Sequence, residues 1–365
     1  MIRTIQQAFL VTLIATLFLG QPIKAEVTIE IKADLGKDET LRVFPTYASI
    51  NSKNIVTAKI RAWAYEMEHH SHVRKAAISA LKNLFGLSSI VLDEKIFALR
   101  VQYFLVDNER NKTVTVFHRN NELKKGDTDA SGQVVLDIQW ANTLKQPKHP
   151  LWIKTKVTPS PPAHETSSNE DVIQLIPAQG RSVISDIDDT IKLTGALSKS
   201  ELLERTFGKP FEEVAEMSDL YRKLANEQGA SFHYVSSSPW QLQPEIQSFL
   251  TTKKFPLGSF HLKSFRLKDS HVLNMFSDPV PYKTEIIESI LSDLPCRDFF
   301  LIGDSGEKDP EIYADIAKRF PNRISAIFIR LVPTHKMDDP RFKAVFSGIE
   351  KTKWQLFEKA SALQI

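Results

Sequence analysis

The chain has 365 residues, room for two domains that each bury a core. Its 42% hydrophobic and 25% charged residues are those of a folded body, and a net charge of +3 is too small to argue for a nucleic-acid partner. A single cysteine, Cys296, excludes an internal disulfide and a cysteine-based zinc site; just ahead of an apolar strand, it is expected to pack.

The N-terminus has the form of a targeting segment. Arg3 precedes an uncharged run that is almost wholly apolar from Ala8 to Leu19, and Gly20 and Pro22 end it. Ile23-Lys-Ala25 offers a cleavage site before Glu26. Residues 1–25 therefore read as a signal peptide of a secreted or periplasmic protein, with an uncleaved anchor as the alternative.

Residues 26–157 predict a β-sandwich. Short alternating runs mark strands at Val27–Lys32, Ile55–Trp63, Val114–Phe117 and Gln133–Trp140. One helical pattern interrupts them: Val73, Ala77, Ile78, Leu81, Leu84 and Phe85 share a face, with Arg74, Lys75 and Lys82 off it. Such a helix covers the sandwich or, being basic, lies on an anionic membrane. His69, His70 and His72 with Glu66 and Glu68 are a solvated run or a metal site.

Residues 158–170, rich in Pro, Ser and charge, predict a linker. From 171 to 365 strands and helices alternate, which means a doubly wound parallel sheet, an α/β domain. Strands are expected at 171–176, 182–185, 231–236, 298–302 and 324–329, and helices near 212–227, 244–251, 283–291, 311–320 and 352–360. The stretch from Thr194 to Ala230 is too short for a large cap and reads as a modest helical insert.

Polar motifs fall just past these strands, where sites in such sheets form. Asp186, Asp188 and Asp189 follow a buried strand within four residues. Crowded carboxylates need a compensating cation, and Mg²⁺ is usual where phosphate is handled. Asp186 can attack as a nucleophile, and Asp188 can pass protons to and from the leaving group. Thr190 adds a hydroxyl for a phosphoryl oxygen; the plain alternative is an acidic loop capping a helix. Ser236 ends the run Phe232–Val235 with a hydroxyl that can donate to phosphate, with Ser238 the other candidate. Trp240 lines a substrate pocket or anchors its loop. Lys283 begins an amphipathic helix, where cations are disfavoured unless an anion is close. A thinly covered site suits a bulky substrate whose phosphate projects from a surface, such as a lipid headgroup.

Asp186-Ile-Asp-Asp-Thr190 resembles the first motif of the haloacid-dehalogenase (HAD) superfamily of aspartate-nucleophile phosphatases. The wider Ile184-Ser-Asp-Ile-Asp-Asp-Thr-Ile-Lys192 with Thr194, Tyr234–Leu242 and Leu301–Tyr313 resemble its phosphatidate phosphatase branch, the family of a yeast actin-patch protein. The likeness is close over the second half of the chain and loose over the first. It implies a HAD-like sheet and hydrolysis of phosphatidate to diacylglycerol and phosphate through an aspartyl-phosphate, with a phospholipid membrane surface as partner. It assigns Ser236 to the second motif and Lys283 to the third. It places Mg²⁺ on Asp186, the backbone carbonyl of Asp188, Asp304 and, directly or through water, Asp309. Ser237 departs from the more usual Asn of that loop. His261 and Lys263 lie in a segment that also resembles the family and are candidate substrate contacts. The alternatives are a phosphomonoesterase acting on soluble or protein-bound phosphate, and a non-enzymatic lipid-binding module of the cell envelope.

Overall fold

The computed structural model describes residues 24–67, 71–84, 87, 92–143, 147–160, 172–195, 197–265, 278–363 and 365. The N-terminal region holds β1 (Lys24–Asp34), β2 (Glu39–Val43), β3 (Thr46–Ile50), β4 (Ile55–Glu66), β5 (Asp107–Asn108), β6 (Thr113–His118), β7 (Asn121–Asp127), β8 (Gln133–Ala141), β9 (Leu151–Ser160) and β10 (Ile173–Ile176). Two helices, α1 (Ser71–Leu84) and α2 (Glu94–Val101), interrupt them. The strands were expected to make two facing sheets. Instead all ten share one continuous sheet, ordered β2-β4-β3-β10-β9-β1-β6-β7, with β5 and β8 also paired to β4. The sheet curls until β7 lies beside β8. Alternation explains the curl: Ile29 and Ile31 of β1, Ile60 and Ala62 of β4 and Leu136 and Ile138 of β8 all point into one core.

Two expectations for this half change, and one left open is narrowed. The strand ending at Ile176 pairs with β3 and β9, so it belongs to the first sheet rather than the second. The beginning of the predicted linker continues β9 through Ser160, paired with Asp34 of β1. The helix around Ile78 and Leu81 is the covering kind, with Leu81 buried in the same apolar cluster as Phe97 and Phe207. Residues 1–23 and, in the histidine run read as solvated or metal-binding, Glu68, His69 and His70 lie outside the described residues.

The second region is a six-stranded sheet in which every ladder is parallel, ordered β15-β14-β11-β16-β17-β18. Its strands are β11 (Gly180–Ser185), β14 (Ser231–Pro239), β15 (Ser259–Lys263), β16 (Arg297–Asp304), β17 (Ile324–Arg330) and β18 (Trp354–Phe357). The ribbon β12 (Lys192–Leu193) and β13 (Glu212–Glu213) stands apart. Helices α3 (Lys199–Phe207), α4 (Met217–Gln228) and α5 (Gln243–Thr252) share one apolar cluster; α6 (Val280–Asp293), α7 (Asp309–Arg319) and α8 (Pro340–Val345) share the other. The helix expected at 352–360 is instead β18 between two 3₁₀ turns, because Leu356 and Phe357 complete the sheet beside β17. Cys296 is exposed at the entry to β16 and does not pack.

Candidate active site

The carboxyl ends of β11, β14 and β16 meet at one place, and the polar motifs sit there. Asp186 directly follows β11, and its N–H donates to Ile302 O of β16 at 2.9 Å. Its Oδ1 accepts from Lys283 Nζ at 2.8 Å and its Oδ2 from Thr190 Oγ1 at 2.9 Å. Lys283, in the first turn of α6, also reaches Asp309 Oδ1 at 2.7 Å and Glu307 Oε2 at 3.3 Å. A buried ammonium at a helix start is doubly disfavoured, so this ring of acids is what holds it. Burial alone would lower the Lys283 pKa, but Asp186, Asp309 and Glu307 drive it well above the ordinary lysine value.

Asp304 ends β16. Its Oδ1 accepts from the N–H groups of Gly306 and Glu307, at 2.5 and 3.3 Å. Its Oδ2 is buried with no hydrogen-bond partner among the described residues. Burial pushes Asp304 well above the usual carboxylate range, and Asp309 and Asp186 add to the push. Asp186 is raised by burial in the same way, against the pull of Lys283. Oxygens of Asp186, Asp304 and Asp309 lie within 4.8 Å of one another. Gly303 is fixed by this packing: a Cβ there would collide with the Asp309 carboxylate and, at 2.7 Å, with the Tyr313 ring. Asp186, Asp304, Asp309 and Glu307 carry four formal negative charges, and among the described residues Lys283 is the one cation in ion-pair contact with them. That excess, with one orphaned carboxylate oxygen, fits a hard divalent cation on Asp186, Asp304 and Asp309.

Asp188 lies apart from this triad. Its Oδ1 accepts from Lys192 Nζ at 2.7 Å and Thr194 Oγ1 at 3.2 Å. Its Oδ2 accepts from Ser236 Oγ and Ser238 Oγ, both at 2.9 Å. Burial raises its pKa, but Lys192 and the hydroxyls outweigh that and hold Asp188 below the ordinary carboxylate value. Its carboxylate is therefore not among the gathered metal ligands. Asp189 is structural: at φ 54° its Oδ1 caps the N–H groups of Thr194 and Gly195 at 2.8 and 3.0 Å.

Trp240 and His261 are not at this site. Trp240 is 4% exposed, with its ring 4.5 Å from Phe44 of the first sheet and the Arg61 guanidinium 5.0 Å from its face. Both residues line a cavity of about 490 Å³ between the two sheets. Trp240 follows a bulge in β14 that turns its side chain toward the first region, so the anchoring role is the one observed. Sequence reasoning missed Lys192 and Glu307. Lys192 stands in the quoted motif as its last residue, but only the fold shows that its buried ammonium, 4.7 Å from the Phe211 ring, neutralises Asp188.

Over the site lies a second cavity, of about 480 Å³, bounded by α3, the Ser237–Pro239 end of β14 and the turn after β16. Asp188, Glu307 and Ser238 line it, and Leu202, Leu203, Phe207 and Leu242 give its lining an apolar part.

Residues 181–331 match the family model described as the phosphatidate phosphatase APP1 catalytic domain. This segment is similar to that family's catalytic domain. The chain is 29% identical over 281 residues to Phosphatidate phosphatase APP1 of Saccharomyces cerevisiae, an alignment covering 75% of this chain and 47% of that protein. It is 35% identical over 162 residues to an uncharacterized protein of Schizosaccharomyces pombe, covering 43% of this chain and 26% of that one. The chain thus spans half or less of the length of these curated relatives. No solved structure gives a significant match. The matched segment runs from the first residues of β11 to just past β17 and so contains Asp186, Asp188, Ser236, Lys283, Asp304 and Asp309.

Proposed function

We propose that this protein is a divalent-metal-dependent phosphatidate phosphatase, releasing diacylglycerol and inorganic phosphate by HAD-type chemistry. The observation that carries the reading is the buried junction of Asp186, Lys283, Asp304 and Asp309 beneath a cavity with a partly apolar lining, inside a segment similar to the APP1 catalytic domain.

In the first half-reaction an Asp186 carboxylate oxygen attacks phosphorus and the P–O bond to the glycerol breaks. Asp188 gives its proton to the departing oxygen. As it stands Asp188 is ionised; a phosphate dianion brought beside it raises its proton affinity, so it takes up that proton as substrate binds. In the second half-reaction Asp188 takes a proton from water, the water oxygen attacks phosphorus, and phosphate leaves with Asp186 restored. Lys283 orients Asp186, and Thr190 and Ser236 stand where their hydroxyls can turn to phosphoryl oxygens. Asp186, Asp304 and Asp309, with the Asp188 carbonyl that the family resemblance adds, would hold a divalent cation such as Mg²⁺, which would supply positive charge to the phosphoryl group. The apolar part of the lining favours a lipid over a soluble ester, and the intact set of reactive groups argues against a purely binding role. We also read residues 1–25 as a secretion signal; cleavage before Glu26 would remove the first two residues of β1.

The deciding experiment measures phosphate release from phosphatidate in mixed micelles and from a soluble phosphomonoester, with Mg²⁺, with EDTA and with Asp186→Asn. Release from the lipid that is lost with EDTA and falls at least ~10³-fold in the variant is expected. Release from the soluble ester alone would keep the chemistry and move the substrate.

A further inference from the structure

The two most exposed large apolar side chains in the described structure are Met337, at 55%, and Leu197, at 53%. They are far apart in sequence, yet one lines the cavity over Asp188 and the other closely follows a residue that does. Leu197 lines it directly, just ahead of α3. Met337 lies two residues beyond His335, which also lines the cavity and is tied by Nδ1 to Ser305 Oγ at 2.9 Å. The loop carrying Met337 leaves the carboxyl end of β17, so it stands on the same edge of the sheet as the reactive carboxylates.

Lysines frame these two residues. Lys199 and Lys308 line the same cavity and are exposed, and exposed Lys336 adjoins Met337. Within the described residues none of the three takes part in an ion pair. Of the acids beside them, Glu307 and Asp309 flank Lys308 but pair with Lys283, and Glu201, two residues after Lys199, pairs with Arg205; Asp338 and Asp339 follow Lys336 and Met337. Apolar tips among lysines, around an opening whose lining is partly apolar, match the two layers of a lipid interface: anionic headgroups outside and acyl chains within.

We propose that this rim is the membrane-docking face: Leu197 and Met337 enter an anionic phospholipid bilayer while Lys199, Lys308 and Lys336 hold its headgroups. The proposal rests on the phosphatidate reading for its purpose but not for its test. Docked this way, the cavity opens onto the lipid, and a phosphate monoester need rise only a short way to meet Asp188.

The fold supplies a control. Leu257 is 38% exposed and precedes β15, so it lies at the amino edge of the parallel sheet, away from the site. In the full chain carrying Cys296→Ser, a polarity-sensitive dye is attached at Met337→Cys or at Leu257→Cys. Each protein is titrated with vesicles of phosphatidylcholine alone or of phosphatidylcholine with phosphatidylglycerol, neither containing phosphatidate. The dye at 337 should shift to the blue and brighten several-fold with the anionic vesicles, and the dye at 257 should not. Changing Lys199, Lys308 and Lys336 together to Glu should weaken the titration at 337 by at least ~tenfold. No change at 337, or an equal change at 257, would overturn the proposal; so would a signal indifferent to the lysines. Insertion at 337 without phosphate release from phosphatidate would leave the docking face standing and sink the substrate instead.

Discussion

Two buried polar clusters flank β14 and β11, and they are built on opposite principles. At the carboxyl ends of the strands, Asp186, Asp304, Asp309 and Glu307 crowd around Lys283 with negative charge in excess and one carboxylate oxygen unpartnered. Against the first sheet, His233 Nδ1 pairs with Ser259 Oγ at 2.9 Å, which also pairs with His261 Nε2 at 3.0 Å. His233 Nε2 lies 3.3 Å from Ser182 Oγ, which accepts from Arg297 Nε at 2.9 Å. The second cluster is mutually satisfied and its histidines are neutral; the first is complete only with another ion or a substrate. Each has a fully buried centre and one partly buried member, so burial does not distinguish a site from a strut. Unbalanced charge does.

Breaking the charged cluster should cost most. Lys283→Met leaves Asp186, Asp309 and Glu307 buried without their cation and is expected to lower stability by ~3–5 kcal/mol in EDTA. Because the loss is one of charge balance, Mg²⁺ should recover part of it in denaturant melts. A loss that Mg²⁺ leaves untouched would make Lys283 a packing residue. In the unaltered protein, Mg²⁺ at ~100 times its dissociation constant should add ~2.7 kcal/mol, and Asp304→Asn should remove most of that gain. Equal stabilisation of the variant would place the cation elsewhere.

The neutral cluster should show itself through pH instead. Burial holds His233 well below the ordinary imidazole value, and burial with the nearby Arg61 and Lys59 lowers His261 to about 3. Both values fall when the chain folds, so the unfolded state takes up protons first. The stability these residues contribute is whole above pH ~6.5 and is lost as pH falls from there, by up to ~1.4 kcal/mol per pH unit for fully buried His233. His233→Asn should flatten the fall between pH ~6.5 and ~5, above the ordinary carboxylate range. An unchanged slope would mean that His233 is already protonated in the fold.

The charged cluster was also the more legible of the two. Asp186, Asp188, Lys283, Asp304 and Asp309 announce themselves because phosphoryl chemistry admits few residue types and the parallel sheet delivers them to one edge. Lys192 and Glu307 were missed, since a lysine four residues from an aspartate looks ordinary until both are buried. Trp240 stayed open between lining a pocket and anchoring its loop, because it follows a bulge in β14 that no local pattern displays. The strand at Ile173–Ile176 was assigned to the wrong sheet for a similar reason: an apolar run shows that it is buried, not which neighbours it pairs with. Only contacts distant in sequence fix such choices.

The smallest expected effect separates the clusters most cleanly. Ser259 Oγ is the shared partner of His233 and His261, so Ser259→Ala leaves one ring nitrogen of each histidine without that partner. A lost buried hydrogen bond costs ~1–3 kcal/mol. His261 is only partly buried, so water can take over its side and the loss should sit near the lower figure. Nothing in this change touches Asp186 or Lys283, so the Mg²⁺-dependent gain in stability should stay within ~0.5 kcal/mol of the unaltered protein. If that gain falls as well, the two clusters are coupled through Ser182 and β11, and the interface is part of the site rather than its support.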